Sequence, residues 1–162
     1  MAGVIQMSEA ASIAVHASLW MARTPKRLTR SGEICAIFTF SEAHFAKVMQ
    51  ALARAGVVES VRGPRGGTRL ARPPQAITLL EVYEALDGPF NDDRCLLSPK
   101  VCTARCCPIG REITRLNREL RKTLAGATLF AMSAATDWSR FENPAAVPPG
   151  PVKKKTSKKK EK

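Results

Sequence analysis

Four of the five cysteines in this chain crowd into one short stretch, residues 95–107. Thiols at this density normally serve as metal ligands or react with one another. Their spacing is Cys-x6-Cys-x4-Cys when it ends at Cys107 and Cys-x6-Cys-x3-Cys when it ends at Cys106. Structural zinc prefers cysteine pairs two to four residues apart, whereas an iron–sulfur cluster is wider and tolerates broader spacing. The pattern favours a cluster, with zinc or free thiols as alternatives.

The charge and cysteine counts indicate the partner and the compartment. Lysine and arginine number 26 against 14 acidic residues, a net charge of +12. Such an excess predicts a polyanionic partner, usually nucleic acid. Because aromatic residues make up only 6%, double-stranded DNA is favoured over stacked single strands. The odd, clustered cysteines argue against a secreted disulfide framework and for a reducing, cytoplasmic compartment.

Membrane and enzyme functions are not expected. No stretch approaches the roughly 18 consecutive apolar residues of a membrane span. The two histidines, His16 and His44, lie on separate predicted helices without a paired nucleophile and base. The sequence therefore predicts neither a catalytic site nor a small-molecule substrate.

A winged helix-turn-helix domain is predicted over residues 5–90, ahead of the cysteine loop. Its first helix, residues 13–21, is apolar on nearly every face, which implies burial. A short helix capped by Thr29 or Ser31 precedes a break of about three residues, after which Ser41 caps a longer helix. The core face of that longer helix has apolar residues at i, i+3, i+4 and i+7, namely Phe45, Val48, Met49 and Leu52.

A β-hairpin wing follows, since two short strand patterns, residues 57–62 and 68–71, flank a glycine-rich turn. In a DNA-bound helix-turn-helix the first turns of the second helix face the major groove, and a guanidinium at a wing tip can enter the minor groove. The candidate DNA-contacting residues are Ser41, Glu42, Ala43, His44, Lys47, Arg62, Arg65 and Arg69. Two alternatives remain. His44 is then an ordinary surface residue of the helix, and the arginines of the hairpin only keep it soluble.

The second half begins with a capping box, Thr78 to Glu81, and a helix ended by Gly88. The cysteine-rich loop is expected over residues 91–108, and Pro108 suits the first position of a long helix. One narrow apolar seam runs along that helix, formed by Ile109, Ile113, Leu116, Leu120 and Leu124. A single seam is typical of a helix that pairs with a partner, so we expect a homodimer, with packing onto its own domain as the alternative.

The chain after the long helix divides into two parts. A last short helix, capped by Thr128, completes the dimerisation region expected over residues 109–140. Residues 153–162 hold seven lysines and one glutamate, with no apolar residue to bury. Residues 141–162 are therefore predicted to be a disordered Pro/Lys-rich tail, either solubilising or a DNA arm without sequence preference. The predicted fold class is mainly α, with a small β-hairpin wing and a long dimerisation helix.

The order of these motifs resembles that of a known family. It runs from the wing Arg62-Gly63-Pro64-Arg65-Gly66-Gly67 through the Leu79-Leu80-Glu81-Val82 helix to a three-cysteine loop and a long helix. Over about residues 5–135 the chain is similar to the Rrf-type (IscR/NsrR-like) winged helix-turn-helix regulators of bacteria. The resemblance implies a homodimeric transcription regulator, often a repressor, of a palindromic site, with a cluster, commonly 2Fe–2S, that senses redox state, nitric oxide or iron.

The resemblance also assigns roles to individual residues. It implies that the cluster ligands are Cys95, Cys102 and Cys107, which leaves Cys106 as a spare thiol, and that Arg62 inserts into the minor groove. The spacing alone keeps Cys106 as an alternate to Cys107. The family supplies a fourth ligand from the first helix or three residues after the last cysteine, positions that hold Ser12 and Gly110 here. The remaining candidates for that ligand are Cys106, Glu9 and His16.

The chain also departs from the family's pattern in the turn of the helix-turn-helix. The family has glycine where this chain has Thr39. Because a β-branched residue disfavours positive φ, we expect a different turn geometry. The predicted function is a cluster-modulated DNA-binding transcription regulator. The alternatives are a cluster-free thiol- or zinc-sensing regulator of the same fold, and a non-specific basic nucleic-acid-binding protein.

Overall fold

The computed structural model describes residues 7–64, 66–90 and 107–142. Within them the fold is mainly helical with a two-stranded antiparallel sheet, as the sequence predicts. The elements are α1 (Glu9–Arg23), α2 (Ser31–Phe38), α3 (Glu42–Arg54), β1 (Val58–Val61), β2 (Gly67–Leu70), a 3-10 turn (Pro74–Ala76), α4 (Leu79–Asp87), α5 (Pro108–Gly126), α6 (Leu129–Ala135) and α7 (Ser139–Glu142). None of these helices is long and apolar enough to cross a membrane.

Helix α1 lies at the centre of the fold, where it packs against α3, α4 and α6. Ser8 caps its start, since the Ser8 hydroxyl oxygen accepts a hydrogen bond from the Ala11 N–H at 3.0 Å. The predicted burial of this helix is confirmed. Its buried residues are Ala11, Ile13, Ala14, Ala17, Ser18, Trp20, Met21 and Ala22. The many alanines let the neighbouring helices approach closely and form one core around α1.

The turn between α2 and α3 is built on Thr39, which the sequence predicts to avoid positive φ. The structure differs from that expectation, because Thr39 ends α2 in the left-handed region at φ 56° and ψ 34°. In this conformation the N–H groups of Thr39 and Phe40 both donate to the Cys35 carbonyl oxygen. Left-handed backbone costs an L-residue roughly 1–2 kcal/mol, so closure of the turn outweighs local strain in one residue.

Two predicted helix caps also differ in the structure. Helix α2 begins after Arg30 without a side-chain cap, so neither Thr29 nor Ser31 caps it. Thr29 is instead buried and pairs with Thr68 of β2 through two backbone hydrogen bonds of 2.9 Å. This pairing attaches the wing to the connector between α1 and α2. Ser41 occupies the N-cap position of α3, but its side chain makes no cap hydrogen bond.

Close backbone contacts explain two glycines of the wing. The strands pair with Val61 opposite Gly67. A Cβ on Gly67 would lie 2.8 Å from the Thr29 carbonyl oxygen, and a Cβ on Gly66 would lie 2.2 Å from the Val61 carbonyl oxygen. Both neighbours are backbone atoms, which cannot move aside without breaking the hairpin. Any larger residue at either position would therefore distort the wing.

The predicted capping box of α4 is confirmed. The Thr78 hydroxyl accepts from the Glu81 N–H at 3.2 Å, and the Glu81 carboxylate accepts from the Thr78 N–H at 2.8 Å. The Arg72 guanidinium lies 2.8 Å from the same carboxylate and also donates to the Ala76 carbonyl oxygen. Partial burial by itself raises the pKa of Glu81, but the Thr78 N–H and Arg72 together hold this pKa below its ordinary value. Arg72 thus ties α4 to the segment after the wing.

The core includes residues well beyond the expected domain boundary at residue 90. Leu129 of α6 is fully buried in the same core as α1, and its N–H donates to the Ile77 carbonyl oxygen at 2.9 Å. Thr128 caps α6 as predicted. Helix α7 continues past the expected boundary at residue 140, because Trp138 and Phe141 pack against the core. The rest of the predicted tail, residues 143–162, lies outside the described residues.

Candidate DNA interface and cysteine site

The exposed N-terminal end of α3 forms the first part of the candidate DNA interface. The residues that the sequence assigns to its core face, Phe45, Val48, Met49 and Leu52, are all buried. Their burial determines which side of the helix faces outward. Four of the five predicted contact residues are exposed, and the fifth, His44, is half-buried. The exposed residues are Ser41, Glu42, Ala43 and Lys47.

One residue of this face is absent from the set that the sequence predicts. Gln50 is exposed one turn beyond Lys47. Ala43, Lys47 and Gln50 lie at i, i+4 and i+7, so they share one face of the helix. A glutamine amide can form two hydrogen bonds with the edge of an adenine. The periodicity that identifies the core face was therefore sufficient to find Gln50 as well.

The wing forms the second part of the interface. Arg62 follows β1 directly, is exposed, and makes no ion pair among the described residues. Arg69 lies on β2 directly opposite Glu59 of β1, and its guanidinium pairs with that carboxylate. Arg65 lies outside the described residues. Of the two wing arginines that the structure describes, Arg62 is thus the one whose charge no nearby carboxylate neutralises.

Cys107 is the loop cysteine that the described residues include, whereas Cys95, Cys102 and Cys106 lie outside them. It occupies the N-cap position of α5, with Pro108 at the first helical position as predicted. The Cys107 Sγ accepts a hydrogen bond from the Gly110 N–H at 3.3 Å, and a helix N-terminus stabilises negative charge. This half-buried sulfur therefore has a donor and a local field that fit a thiolate ligand of an iron–sulfur cluster.

The candidates for a fourth ligand on α1 occupy different places. The Ser8 N–H donates to the Asp87 carboxylate at 3.3 Å, so the start of α1, with Glu9, lies beside the end of α4. Two turns later, His16 bonds the Ser12 carbonyl oxygen through Nδ1 at 2.7 Å, and its ring contacts Phe38. The described residues contain no group of three potential ligands placed to hold a metal. Glu9, unlike His16, is at the end of the fold from which the cysteine loop departs.

The fifth cysteine, Cys35, belongs to the core of the helix-turn-helix. It is buried in α2, and its carbonyl oxygen accepts the hydrogen bonds of the turn. Burial, and to a smaller extent the charge of Glu42, raise the pKa of the Cys35 thiol. A protonated, buried thiol is a weak nucleophile and a poor ligand, so Cys35 has a structural role.

The apolar seam of α5 is only partly covered by the rest of the described chain. None of the 19 residues of α5 is buried, and α4 is its main neighbour. Ile109 is 63% exposed and Leu116 is 42% exposed. The other members of the seam are half-buried, namely Ile113, Leu120 and Leu124. A continuous apolar surface of this kind is typical of an interface with another molecule.

The sequence of the chain matches a family of transcriptional regulators. The profile of the Rrf2 family, described as an iron-dependent transcriptional regulator, matches residues 7–135. A protein of Aquifex aeolicus (strain VF5), named as an HTH-type transcriptional regulator, is 30% identical over 125 residues. That alignment covers 75% of this chain and 87% of the Aquifex protein.

Solved structures share the architecture. CymR (YrzC), the global cysteine regulator of B. subtilis, matches with a TM-score of 0.69 at 25% identity and covers 82% of this chain and 99% of its own. IscR of T. potens matches with a TM-score of 0.67 at 20% identity and covers 90% of this chain and 94% of its own. At that identity the similarity to IscR shows the fold alone.

Proposed function

Because the chain belongs to the Rrf2 family of transcriptional regulators, we propose that it binds a palindromic site on double-stranded DNA as a cytoplasmic homodimer, and that an iron–sulfur cluster on its cysteine loop modulates this binding. Family and fold make it a DNA-binding regulator, not an enzyme. The exposed N-terminal end of α3, together with the exposed Arg62 of the wing, carries the DNA-binding part of the proposal.

Each part of the interface has a physical role in DNA recognition. Lys47 is placed to donate to a guanine edge or a phosphate, and Gln50 to an adenine. The free N–H groups at the start of α3 favour a phosphate oxygen. Arg62 supplies a guanidinium that the narrow, strongly negative minor groove attracts. Base contacts from α3 would therefore give sequence preference, while the wing adds affinity and reads groove shape.

Pairing of α5 with α5 of a second copy would complete the regulator. This pairing would bury apolar area of the seam that a single chain leaves exposed to water. Each fully buried aliphatic side chain contributes roughly 1.5–3 kcal/mol. A two-fold dimer would present two copies of α3 to half-sites about 34 Å apart, one turn of the duplex. Such symmetry is the reason to expect a palindrome.

We assign the cluster, of the 2Fe–2S type, to Cys95, Cys102 and Cys107, with Glu9 as the favoured fourth ligand and Cys106 as an alternate. A bound cluster would supply iron chemistry that responds to redox state or nitric oxide. The loop joins the end of α4 to the start of α5, and Cys107 caps α5. Thiolates held in one place would thus position the dimer helix relative to the winged-helix core, which alters DNA affinity only if the two arrangements bind DNA differently.

The DNA-binding part is tested by selection of duplexes from a random pool, followed by footprinting. We expect a discrete palindromic footprint, and we expect Arg62→Ala to weaken binding by about 1–3 kcal/mol. Arg115→Ala, on the charged face of α5, is the matched control and should bind normally. Equal affinity for selected and random duplexes would reject a specific regulator and favour a non-specific nucleic-acid-binding protein.

The cluster is tested on protein purified without oxygen. We expect visible absorbance with iron and acid-labile sulfide, lost in Cys107→Ser and retained in Cys35→Ala, which changes a cysteine outside the loop. Zinc in place of iron would reject the cluster and favour the zinc-sensing alternative. Reactive thiols without any metal would favour the thiol-sensing alternative. Light scattering measures the dimer on the same samples, and a monomer at all concentrations would contradict the assigned role of α5.

A further inference from the structure

An open cleft of about 510 Å³ lies where the wing meets the core of the fold. Its walls come from the end of α1 and the connector after it (residues 22–26), from the wing strands and the segment that follows them (Glu59 and residues 69–75), and from Phe130 of α6. Pockets that hold small molecules usually measure roughly 300–1,000 Å³. None of the described residues that line the cleft belongs to α3 or α5, so it is separate from the ends of those helices discussed above.

The inner surface of the cleft is apolar. Ala22, Leu70 and Pro74 line it and are themselves buried, so the cleft reaches down to the core. Phe130 lies at its rim with half of its surface, 50%, exposed to solvent. An aromatic ring at the edge of an apolar floor can pack against the apolar body of a ligand, and most favourably against another ring.

Basic side chains surround this apolar floor. The described residues that line the cleft include four basic side chains and one carboxylate, namely Arg23, Lys26, Arg69 and Arg72 against Glu59. The Glu59 carboxylate pairs with Arg69, whereas Lys26 makes no ion pair within the part of the chain that the structure describes. Such an excess of positive charge attracts anions and repels cations. The cleft therefore fits an organic anion, with an apolar part for the floor and a negative group for the rim.

Two of the guanidinium groups are held in position before any ligand binds. That of Arg23 lies 4.6 Å from the centre of the Trp20 ring and 5.3 Å from that of Trp138, within the range of cation–π attraction. Arg72 is held by the Glu81 carboxylate at 2.8 Å. Groups that are already ordered cost less conformational entropy when a ligand binds. The positive field over the cleft is thus largely built into the fold.

We propose that this cleft binds a small organic anion, whose carboxylate or sulfonate group meets Lys26 and Arg69 and whose apolar body packs on Phe130, and that the bound anion weakens DNA binding. The effect on DNA rests on the proposed function, because Arg69 is one of the predicted DNA contacts. An anion at Arg69 occupies a guanidinium that a phosphate would otherwise meet, and it adds negative charge beside the duplex. By linkage, DNA and the anion then weaken each other's binding by the same factor.

The binding part is tested on the full chain with two fluorescent probes. Anilinonaphthalenesulfonate is an aromatic sulfonate, and N-phenylnaphthylamine has the same rings without the sulfonate. Both fluoresce more strongly in apolar surroundings, so fluorescence titration gives a Kd for each. Phe130→Ala should raise the Kd of both probes about three- to tenfold, because both lose the contact with the ring.

Two charge variants should shift the affinity for the sulfonate in opposite directions. Lys26→Gln removes an unpaired cation, whereas Glu59→Gln removes the carboxylate and releases Arg69. We expect the Kd of the sulfonate to rise about two- to fivefold in the first variant and to fall by a similar factor in the second, while N-phenylnaphthylamine binds both like the wild type. Lys122→Gln is the matched control, since Lys122 is an exposed lysine of α5 that does not line the cleft. Thermal unfolding confirms that each variant is folded.

The effect on DNA is measured with the duplex selected in the footprinting experiment. Saturating anilinonaphthalenesulfonate should raise the Kd of the wild type for this duplex about fivefold or more, and saturating duplex should raise the Kd for the sulfonate by the same factor. Phe130→Ala should need a higher sulfonate concentration for the same loss of DNA binding, because the effect acts through the cleft.

The outcomes separate this inference from the proposed function. Sulfonate binding that is unchanged in all three cleft variants, as binding to the seam of α5 would be, would overturn the inference. Equal responses of the neutral probe and the sulfonate to the charge variants would also overturn it, as would sulfonate and duplex that bind without affecting each other. A chain with no discrete footprint would instead reject the proposed function and the effect on DNA with it, while the probe titrations still decide whether the cleft binds an anion.

Discussion

Helices α3 and α5 have similar amphipathic sequences but very different surroundings in the fold. Apolar residues recur at helical spacing in both, yet four residues of α3 are buried and none of the 19 residues of α5 is. Phe45 of α3 is 1% exposed, whereas Ile109 of α5 is 63% exposed. The comparison shows that the core buries one face of α3 within one chain, while the apolar seam of α5 stays partly exposed.

Local interactions alone explain little of the stability of α5. Cys107 and Pro108 begin the helix, and Arg115 pairs with Glu112 at 3.0 Å and with Glu119 at 2.8 Å. Exposed ion pairs of this kind contribute little, and an isolated helix of this length is only marginally stable in water. Packing against α4 and, in the proposed dimer, burial of the seam against the second copy are therefore the main stabilising contributions available to α5.

Phe45→Ala should have the largest effect, because it opens a cavity in a core that is already complete. Such substitutions cost about 3–5 kcal/mol. We expect the free energy of unfolding in urea to fall by that amount. Phe130→Ala is the matched control, at a side chain that is 50% exposed, and should cost less than about 1 kcal/mol. Equal losses for the two variants would remove the distinction between core and surface.

Leu116→Glu tests the other side of the comparison. In the proposed dimer, a charge in the seam would remove the apolar contact in both copies, about 3–6 kcal/mol in total, so we expect the dimer dissociation constant to rise about 100-fold or more. Sedimentation measures the constant, and circular dichroism should show a winged-helix core that remains folded. Ala125→Glu places the same charge on an exposed residue of α5 away from the seam and should dissociate like the wild type. An unchanged dimer in Leu116→Glu would assign the interface to another surface.

Thr39→Gly tests whether the strain in the turn is real. Glycine takes the left-handed conformation without the Cβ clash, so we expect the free energy of unfolding to rise by up to about 1 kcal/mol. The opposite sign is expected for Ala36→Gly, on the exposed face of α2, where glycine costs about 1 kcal/mol. A loss of stability in both variants would mean that Thr39 is not strained.

Glu81→Gln should have the smallest effect, and only in a defined pH range. Since the pKa of Glu81 is lowered in the folded state, its contribution is present above the ordinary glutamate pKa of about 4.3 and is lost as pH falls through the folded value. The pair is partly exposed, so we expect a difference of about 0.2–1 kcal/mol at neutral pH that disappears in acid. Urea titrations of both proteins from pH 7 to pH 3 measure it, and a difference that persists in acid would contradict the assignment.

Local patterns predicted those parts of the fold that depend on near neighbours in the chain. The capping box of Thr78 and Glu81, the cap of α6 by Thr128 and the buried face of α3 follow from residues three or four positions apart. The exposed end of α3 follows as the complement of that buried face. The same spacing identified the apolar seam of α5, although local spacing does not predict which surface packs against that seam.

Contacts between segments far apart in the chain explain what the sequence analysis did not predict. Thr29 was expected as a cap, but Thr68, far along the chain, pairs with its backbone. Arg69 stays a predicted DNA contact, and the strand register shows in addition that it lies opposite Glu59 and pairs with it. Thr39 takes a conformation that its own side chain disfavours, because two hydrogen bonds to Cys35 close the turn.

The sequence by itself determined helices α1 to α6 and the wing, since side-chain periodicity, capping residues and glycine act over a few residues. Only the tertiary structure decided that α6 belongs to the winged-helix core, that α7 is held at the turn before α3, and that the seam of α5 is only partly covered. Those outcomes depend on which apolar surfaces meet across the chain, because burial is a property of the assembled core and of no single segment.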